Sequence, residues 1–572
     1  MPLSKWLAKG RQIRIILLAF CLPALLAAKP APDIQVGGTK SKVQKNIQIR
    51  LQELAQSKSF SDESDEELKQ HIAQAMAPYG YLKPIIHLTR LAGNNLKIQI
   101  NAGPRLHFTQ VTVSIVGEGR NNPEINKVSH DLLIKPGVAF NSIKYEDSKQ
   151  ALMNAAEHEG YLHASFDKAE ILIDKVRYTA NVILIFNTGP QYYFGQVRFD
   201  PARITPELLH RYIPFQYGES YSTEKILTFN NYLAASGYFK SVTVQPQLDG
   251  ARSIPVDVHL QPVPHYSYSL GVGYGTDTGP RGRAALHVIP VNRWGHKFNA
   301  LAIGSLKQNA VQGQYIIPGK NPTIDQYEII GNAGTLNYSS GYSNSILLSA
   351  AQRHNLTNFQ RVLSINGLYE RFNYDYQPKT EAKTVFPRAT LSWVEKDNDK
   401  LFTPTGYKVV VNGLAADRAI LSDISFAQAT FDAKAALTLK SLRTRLYFHT
   451  LQGVTQINDI NHLPLSIAML LGGADNLKAY SFNSIGPGKL MTYGGIEIQK
   501  ETRDKWYLVG FLDSGDVYKP TVREMKNDVG LGLMWVSPIG PIKVGVAQAV
   551  GSHFNHFQSN KPKLVISMGP DL

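Results

Sequence analysis

At 572 residues the chain exceeds one ordinary domain, so several are expected. Charged residues make up only 18 % while Tyr and Phe are plentiful, and the net charge is +15; this balance favours an aromatic-rich β protein and argues against a cytosolic enzyme. The only cysteine is Cys21, which falls in a segment expected to be removed, so disulfide and thiol chemistry are excluded from the mature chain.

That segment is residues 1–28, which read as a signal peptide. Lys5, Lys9, Arg11 and Arg14 precede an apolar run from Ile15 to Leu26, too short to span a bilayer, and Ala27 and Ala28 offer a cleavage point. Phe20 before Cys21 is too large for a lipoprotein site. No later stretch is apolar for 18 consecutive residues, so a membrane crossing would have to be a closed β-barrel, the other structure that satisfies its backbone within lipid.

The next 230 or so residues repeat a pattern, ~75–85 residues long and large enough for a core of its own. YGYLKP (79–84), EGYLHA (159–164) and SGYFKS (236–241) each follow an amphipathic helix: Leu68 to Met76, Ala151 to His158 and Ile226 to Ala235. Gly80, Gly160 and Gly237 then read as helix C-caps, where a left-handed backbone favours glycine. An extended pair follows each, clearest in ILIDKVRYTANVILIF (171–186), and Gly103-Pro104, Gly189-Pro190 and Gln261-Pro262 close the units. The order strand–helix–helix–strand–strand predicts three small α+β modules at 33–104, 105–190 and 191–264.

From 265 the texture changes. HYSYSLGVGYGT (265–276) alternates, with Tyr266, Tyr268, Leu270, Val272 and Tyr274 on one face and Ser or Gly on the other. Similar runs recur at 362–372, 407–415 and 444–454, and residues 265–572 accommodate about 16 strands of ~9–11 residues plus turns. The expected fold class is therefore three α+β repeats followed by a transmembrane antiparallel β-barrel. GVGYG (271–275) is no nucleotide loop, because it lies within a strand and opens no helix.

Five segments in order carry a resemblance: DNDKLFTPTGYKVVV (397–411), GGADNLKAY (472–480), GFLDSGDVY (510–518), SPIGPIKVGVA (537–547) and the terminal VISMGPDL (565–572). Together with the repeats they resemble the BamA/TamA superfamily of outer-membrane assembly barrels, whose periplasmic repeats are POTRA domains; three repeats are most similar to the TamA branch, the translocation and assembly module subunits. The resemblance implies a loop folded into the lumen, with Lys478, Ala479 and Tyr480 meeting a strand that carries Phe511, Asp513 and Gly515. Lys478 stands where the family has arginine, and Ala479 where it has glycine. The implied Lys478–Asp513 contact is thus expected to lack the planar fork of a guanidinium, with Glu497 as a competing partner. A wet lumen is expected to tolerate the charge. The resemblance further implies a weak lateral seam between Tyr266, Tyr268, Leu270, Gly271 and Gly273 at one side and Gly569, Pro570 and Leu572 at the other; proline lacks the ladder N–H. An unpaired edge there would template a client strand.

Implied partners are unfolded outer-membrane protein clients such as autotransporters, a long TamB-like periplasmic or inner-membrane partner, and outer-membrane lipids. His158 and His163 lie five residues apart around the helix-ending Gly160, which excludes a zinc helix, and neither a GxSxG elbow nor a phosphate loop is present. No catalytic site, metal or cofactor is expected. Arg281 and Arg283 are expected to face lipid head groups or lumenal water rather than nucleic acid. The expected role is insertion or translocation of outer-membrane proteins; the alternatives are an outer-membrane anchor of an envelope-spanning bridge for phospholipid transport, or a two-partner secretion pore.

Overall fold

The computed structural model describes residues 33–569, apart from 58–59, 61, 93–94, 376, 397–400, 519–524, 539 and 552–560. The expected signal peptide, Asp397 to Lys400, Pro570 and Leu572 lie outside the described residues. The chain forms two compact units. One runs to Phe194 and adds 217–224 and 249–254; the other holds 195–216, 225–248 and all that follows Ile254.

Three small sheets, each backed by helices, precede the barrel. The first module comprises β1 (Ile34–Gly37), α1 (Ser41–Ser57), α2 (Asp65–Met76), β2 (Ile85–Leu91) and β3 (Asn95–Asn101). The second comprises β4 (His107–Val116), α3 (Pro123–His130), α4 (Ser142–His158), β5 (Ser165–Asp174) and β6 (Thr179–Asn187). The third comprises β7 (Tyr193–Phe199), α5 (Pro206–His210), α6 (Thr223–Ala235), β8 (Phe239–Pro246) and β9 (Ser253–Pro262). In every sheet the last strand lies between the other two, and in the first two modules it runs parallel to the first strand. Helix α2 starts at a capping box, Ser64 with Glu67, and buries Leu68, Ile72, Ala75 and Met76 on one stripe. Its following turn ends at Gly80 with φ +89°, and a Cβ there would press on Phe140 at 3.2 Å.

The barrel is a sixteen-stranded sheet from β10 (Tyr266–Gly275) to β25 (Lys563–Met568), each strand antiparallel to the next. Alternation sorts its side chains. On β16 (Phe359–Tyr374), Leu363 and Ile365 are exposed, whereas Asn366, Leu368, Glu370 and Phe372 are buried. A lipid-facing wall requires this dyad period. Trp506 and Trp535 stack with centroids 5.9 Å apart near the end of the barrel where β10 begins, as in an interfacial aromatic belt.

The third module is joined to that end. Within the second unit, the Tyr238 hydroxyl donates to the Gly295 carbonyl at 2.5 Å, and Thr205 N–H donates to Arg293 O at 2.8 Å. Lys297 donates to Ser236 O at 2.5 Å while lying 4.4 Å from the Tyr238 ring centroid. Burial pushes the neighbouring Tyr212 phenol up to about 12, so it stays neutral at physiological pH. Gly295 has φ +79°, and a Cβ on it would fall 2.2 Å from Leu208 Cδ2 and 2.8 Å from Tyr238 Oη. Gly295→Ala is expected to weaken this joint by ~1–3 kcal/mol. Limited proteolysis checks it: the 289–296 turn should be cut faster while the barrel keeps its heat resistance.

Candidate functional site: a lumenal clasp and an unzipped seam

The loop 458–489 joins β20 (Thr444–Ile457) to β21 (Leu490–Arg503) at the end of the barrel opposite the start of β10. It turns inward because its apolar residues have nowhere else to be buried: Leu463, Leu465, Leu471, Leu477, Tyr480 and Ile485 are all buried. On one wall, Tyr374 donates to Leu463 O at 2.7 Å, and Ser466 N–H donates to Glu370 at 3.0 Å. Towards the other wall, Leu477, Ala479 and Tyr480 pack with Tyr493, Ala547, Ala549 and Val565. The loop therefore crosses the interior.

The opening stretch GGADN is built for this turn. Gly472 and Gly473 both have φ +112°, and a Cβ on Gly472 would sit 2.2 Å from Ser481 O. Asn476 Oδ1 accepts the N–H groups of Gly472 at 2.6 Å and Leu477 at 2.8 Å, so the side chain completes the bend.

The bend delivers Lys478 to three strands: β21, β22 (Trp506–Asp516) and β23 (Lys526–Ser537). Its ammonium lies 2.7 Å from Asp513 Oδ2, 3.5 Å from Glu497 Oε1 and 4.6 Å from the Phe511 ring centroid. The other Asp513 oxygen accepts from Tyr493 OH at 2.7 Å, and the other Glu497 oxygen accepts from Lys543 and Gln499, each at 2.7 Å. Gln499 in turn accepts from Arg445 at 2.7 Å; Arg445 also donates to Thr403 O at 2.8 Å, within the 397–411 element. Ala479 N–H donates to Asp528 Oδ2 at 2.8 Å. Gly495 makes the room: a Cβ there would fall 2.3 Å from Asp513 Oδ1.

The structure thus places Lys478, Phe511 and Asp513 together. Ala479 contributes its backbone, and Tyr480 is buried beside them. Gly515 lies two residues beyond Asp513, where a Cβ would meet Thr492 O at 2.9 Å. Glu497, expected as a competitor, shares the ammonium. The expectation of a wet environment is corrected: Lys478 is only 7 % exposed, and its charge is held by carboxylates rather than water. Sequence reasoning missed Tyr493, Gln499, Asp528 and Lys543. Polar residues on the inward phase of otherwise apolar alternating strands were the available signal.

At the seam, β10 and β25 end the sheet order, and no ladder joins them among the described residues. β25 pairs with β24 (Gly540–Val550) over Lys563 to Met568 only. Across the gap, Ile566 N–H donates to the Thr276 hydroxyl at 3.1 Å, which sets β25 against the far end of β10. Tyr266, Tyr268, Leu270 and Gly271 are left exposed on an edge without a described partner. Gly569 is the last described residue. The loop reaches this seam as well. Ala474 N–H donates to Asp277 Oδ2 at 2.5 Å, Lys563 donates to Tyr480 O at 2.7 Å, and Lys563 lies 3.7 Å from Asp277.

The chain is similar to known proteins. Residues 304–569 match the Omp85 superfamily domain, residues 33–102 match POTRA domain TamA domain 1, and residues 192–262 match the POTRA model described as a surface antigen variable number repeat. The outer membrane protein assembly factor BamA of Neorickettsia risticii (strain Illinois) is 20 % identical over 512 residues, covering 80 % of this chain and 65 % of that protein. The chain therefore spans somewhat less than two thirds of that relative's length. The fold is similar to the crystal structure of BamA from Haemophilus ducreyi lacking POTRA domains 1–3, with a TM-score of 0.65 at 14 % identity, covering 81 % of this chain and 99 % of that one. CdiB from Acinetobacter baumannii superposes with a TM-score of 0.49 at 11 % identity, covering 93 % and 99 % of the two chains. Residues 304–569 carry an Omp85 superfamily domain and, behind POTRA-type modules at 33–102 and 192–262, give the chain the organisation of the BamA/TamA superfamily: an outer-membrane β-barrel whose N-terminal POTRA modules lie in the periplasm.

Proposed function

We propose that the chain assists the insertion and translocation of outer-membrane proteins, autotransporters among them, as the outer-membrane subunit of a translocation and assembly module. One observation carries this reading: the first barrel strand presents an edge without a described ladder partner inside an otherwise continuous sheet. Such an edge offers N–H and C=O groups to an incoming strand, which then pairs its backbone before lipid surrounds it. The relative from N. risticii, an assembly factor by name, supports the same role. The activity needs no catalytic site or cofactor; the free energy comes from strand pairing and burial. A long TamB-like partner belongs to the same proposal, and the match of residues 33–102 to a TamA-type first module supports the TamA-like reading. It also keeps a second reading in play, in which the barrel anchors an envelope-spanning bridge for phospholipid transport.

In-cell photocrosslinking from Ser269, at the centre of β10, tests the proposal. Adducts with nascent outer-membrane proteins are expected. Adducts confined to the chain's own last strand, or to a long periplasmic partner, would transfer the weight to the bridge reading.

A further inference from the structure

The free edge of β10 has a particular neighbour. Gly271 and Gly273 pair with Arg283 and Arg281 on β11 (Gly279–Val288). All four sit on the phase opposite to Leu270 and Val272, which are 87 % and 94 % exposed on the outer face. Both arginines therefore stand on the lumenal face of the seam. Their long side chains have no β10 side chain to rest against. A Cβ built on Gly273 would meet Arg281 Nε at 3.0 Å, so that guanidinium lies across the glycine backbone towards the open edge. It reaches Met568 O on β25 at 3.5 Å, a distance too long for a firm bond. Neither arginine has a carboxylate partner among the described residues. They border a cavity of about 400 Å³ that Gly271, Gly273, Gln308 and Met568 also line.

We propose that Arg281 and Arg283 set the specificity of the seam: they select an incoming β-strand that carries a carboxylate, Asp or Glu, on its lumen-facing phase opposite Gly271 or Gly273. This rests on the reading of β10 as a strand acceptor. The two glycines are what permit it. A side chain at 271 or 273 would stand between the guanidinium and the newcomer, whereas glycine lets an arginine one strand away reach over to a residue on the added strand. The pairing is a charge-assisted hydrogen bond, formed in a partly enclosed cavity where screening is reduced. Phase is the important element, because a strand slipped by one residue would turn its carboxylate towards lipid.

The test uses the purified full chain in lipid nanodiscs and three fluorescent twelve-residue peptides of alternating Leu and Thr. The first carries two Asp on the polar phase, the second Asn at the same places, and the third the two Asp on the apolar phase. The first is expected to bind about tenfold tighter than the second, the scale of one charge-assisted bond, and tighter than the third. Arg281→Gln with Arg283→Gln should abolish the difference, and Arg281→Glu with Arg283→Glu should transfer the preference to a Lys-bearing peptide. Equal binding of the Asp and Asn peptides, or equal binding of the two Asp peptides, overturns the proposal; the latter would mean general attraction to a basic protein. Discrimination that survives the Gln variants also overturns it. If no peptide binds at all, the acceptor reading itself fails, which is a different result.

Discussion

Lys478→Met is expected to cost the barrel its heat-resistant folded form. The substitution keeps the length and apolar stem of the side chain and removes only the charge. Asp513 is fully buried and Glu497 nearly so, and both face the missing ammonium at 2.7 and 3.5 Å. Breaking a buried pair by deleting one partner costs ~3–5 kcal/mol, because the remaining charge is left in a low-dielectric site. Glu497 keeps Lys543 and Gln499, and Asp513 keeps Tyr493, so the loss should fall mainly on Asp513 and on the loop's attachment. Lys478→Asp should be worse, since it adds a fourth carboxylate beside Asp513, Glu497 and Asp528. Combining it with Asp513→Lys should restore assembly only in part, because Tyr493 and Glu497 are arranged for the original order. Gel mobility of unheated and heated samples reads the outcome. A Lys478→Met barrel as heat-resistant as the parent would mean that the apolar packing of Leu477, Ala479 and Tyr480 holds the loop without the ion pair.

Asp277→Ala with Lys563→Met is expected to part the seam at its far end. No ladder closes β10 on β25 among the described residues, so the strands are held there by side chains and by the loop. Lys563 ties β25 to Tyr480 O at 2.7 Å, and Asp277 ties the turn after β10 to Ala474 N–H at 2.5 Å. The two residues also face each other at 3.7 Å. The loop thus bridges both sides of the gap and couples its own position to seam closure. Spin labels on Leu270→Cys and Leu564→Cys report it, since both side chains are exposed and the sequence has no cysteine after Cys21. The distance distribution should lengthen by about 5 Å, one strand spacing. An unchanged distribution would show that the loop contacts do not control the seam.

Much of the architecture was legible because it rests on local rules. Gly80, Gly160 and Gly237 mark helix ends, and all three have φ between +74° and +89°. Strict alternation in HYSYSLGVGYG fixed both the first strand and its outward face. The clasp was only partly legible. Lys478 and Asp513 are 35 residues apart, so no spacing rule joins them; the resemblance did. Asp528 could not be added that way. Gly495, Asp513 and Asp528 lie in one row across three strands, and that row follows from register, which the turns and loops between strands determine. Asp277 and Lys563 were illegible for a similar reason. Their meeting depends on β25 sitting high against β10, a stagger set by the length of β25 and by Ile566 finding Thr276.

The central claim is that β10 receives a second strand, and disulfide scanning tests it most directly. Single cysteines at Tyr268, Ser269 and Leu270 would be paired in cells with cysteines along the last strand of a client captured at Ser269. The account predicts disulfides in an antiparallel register, each β10 position choosing a client position that shifts by one residue in the opposite direction. Disulfides formed only between β10 and the chain's own β25, with none to the client, would contradict it.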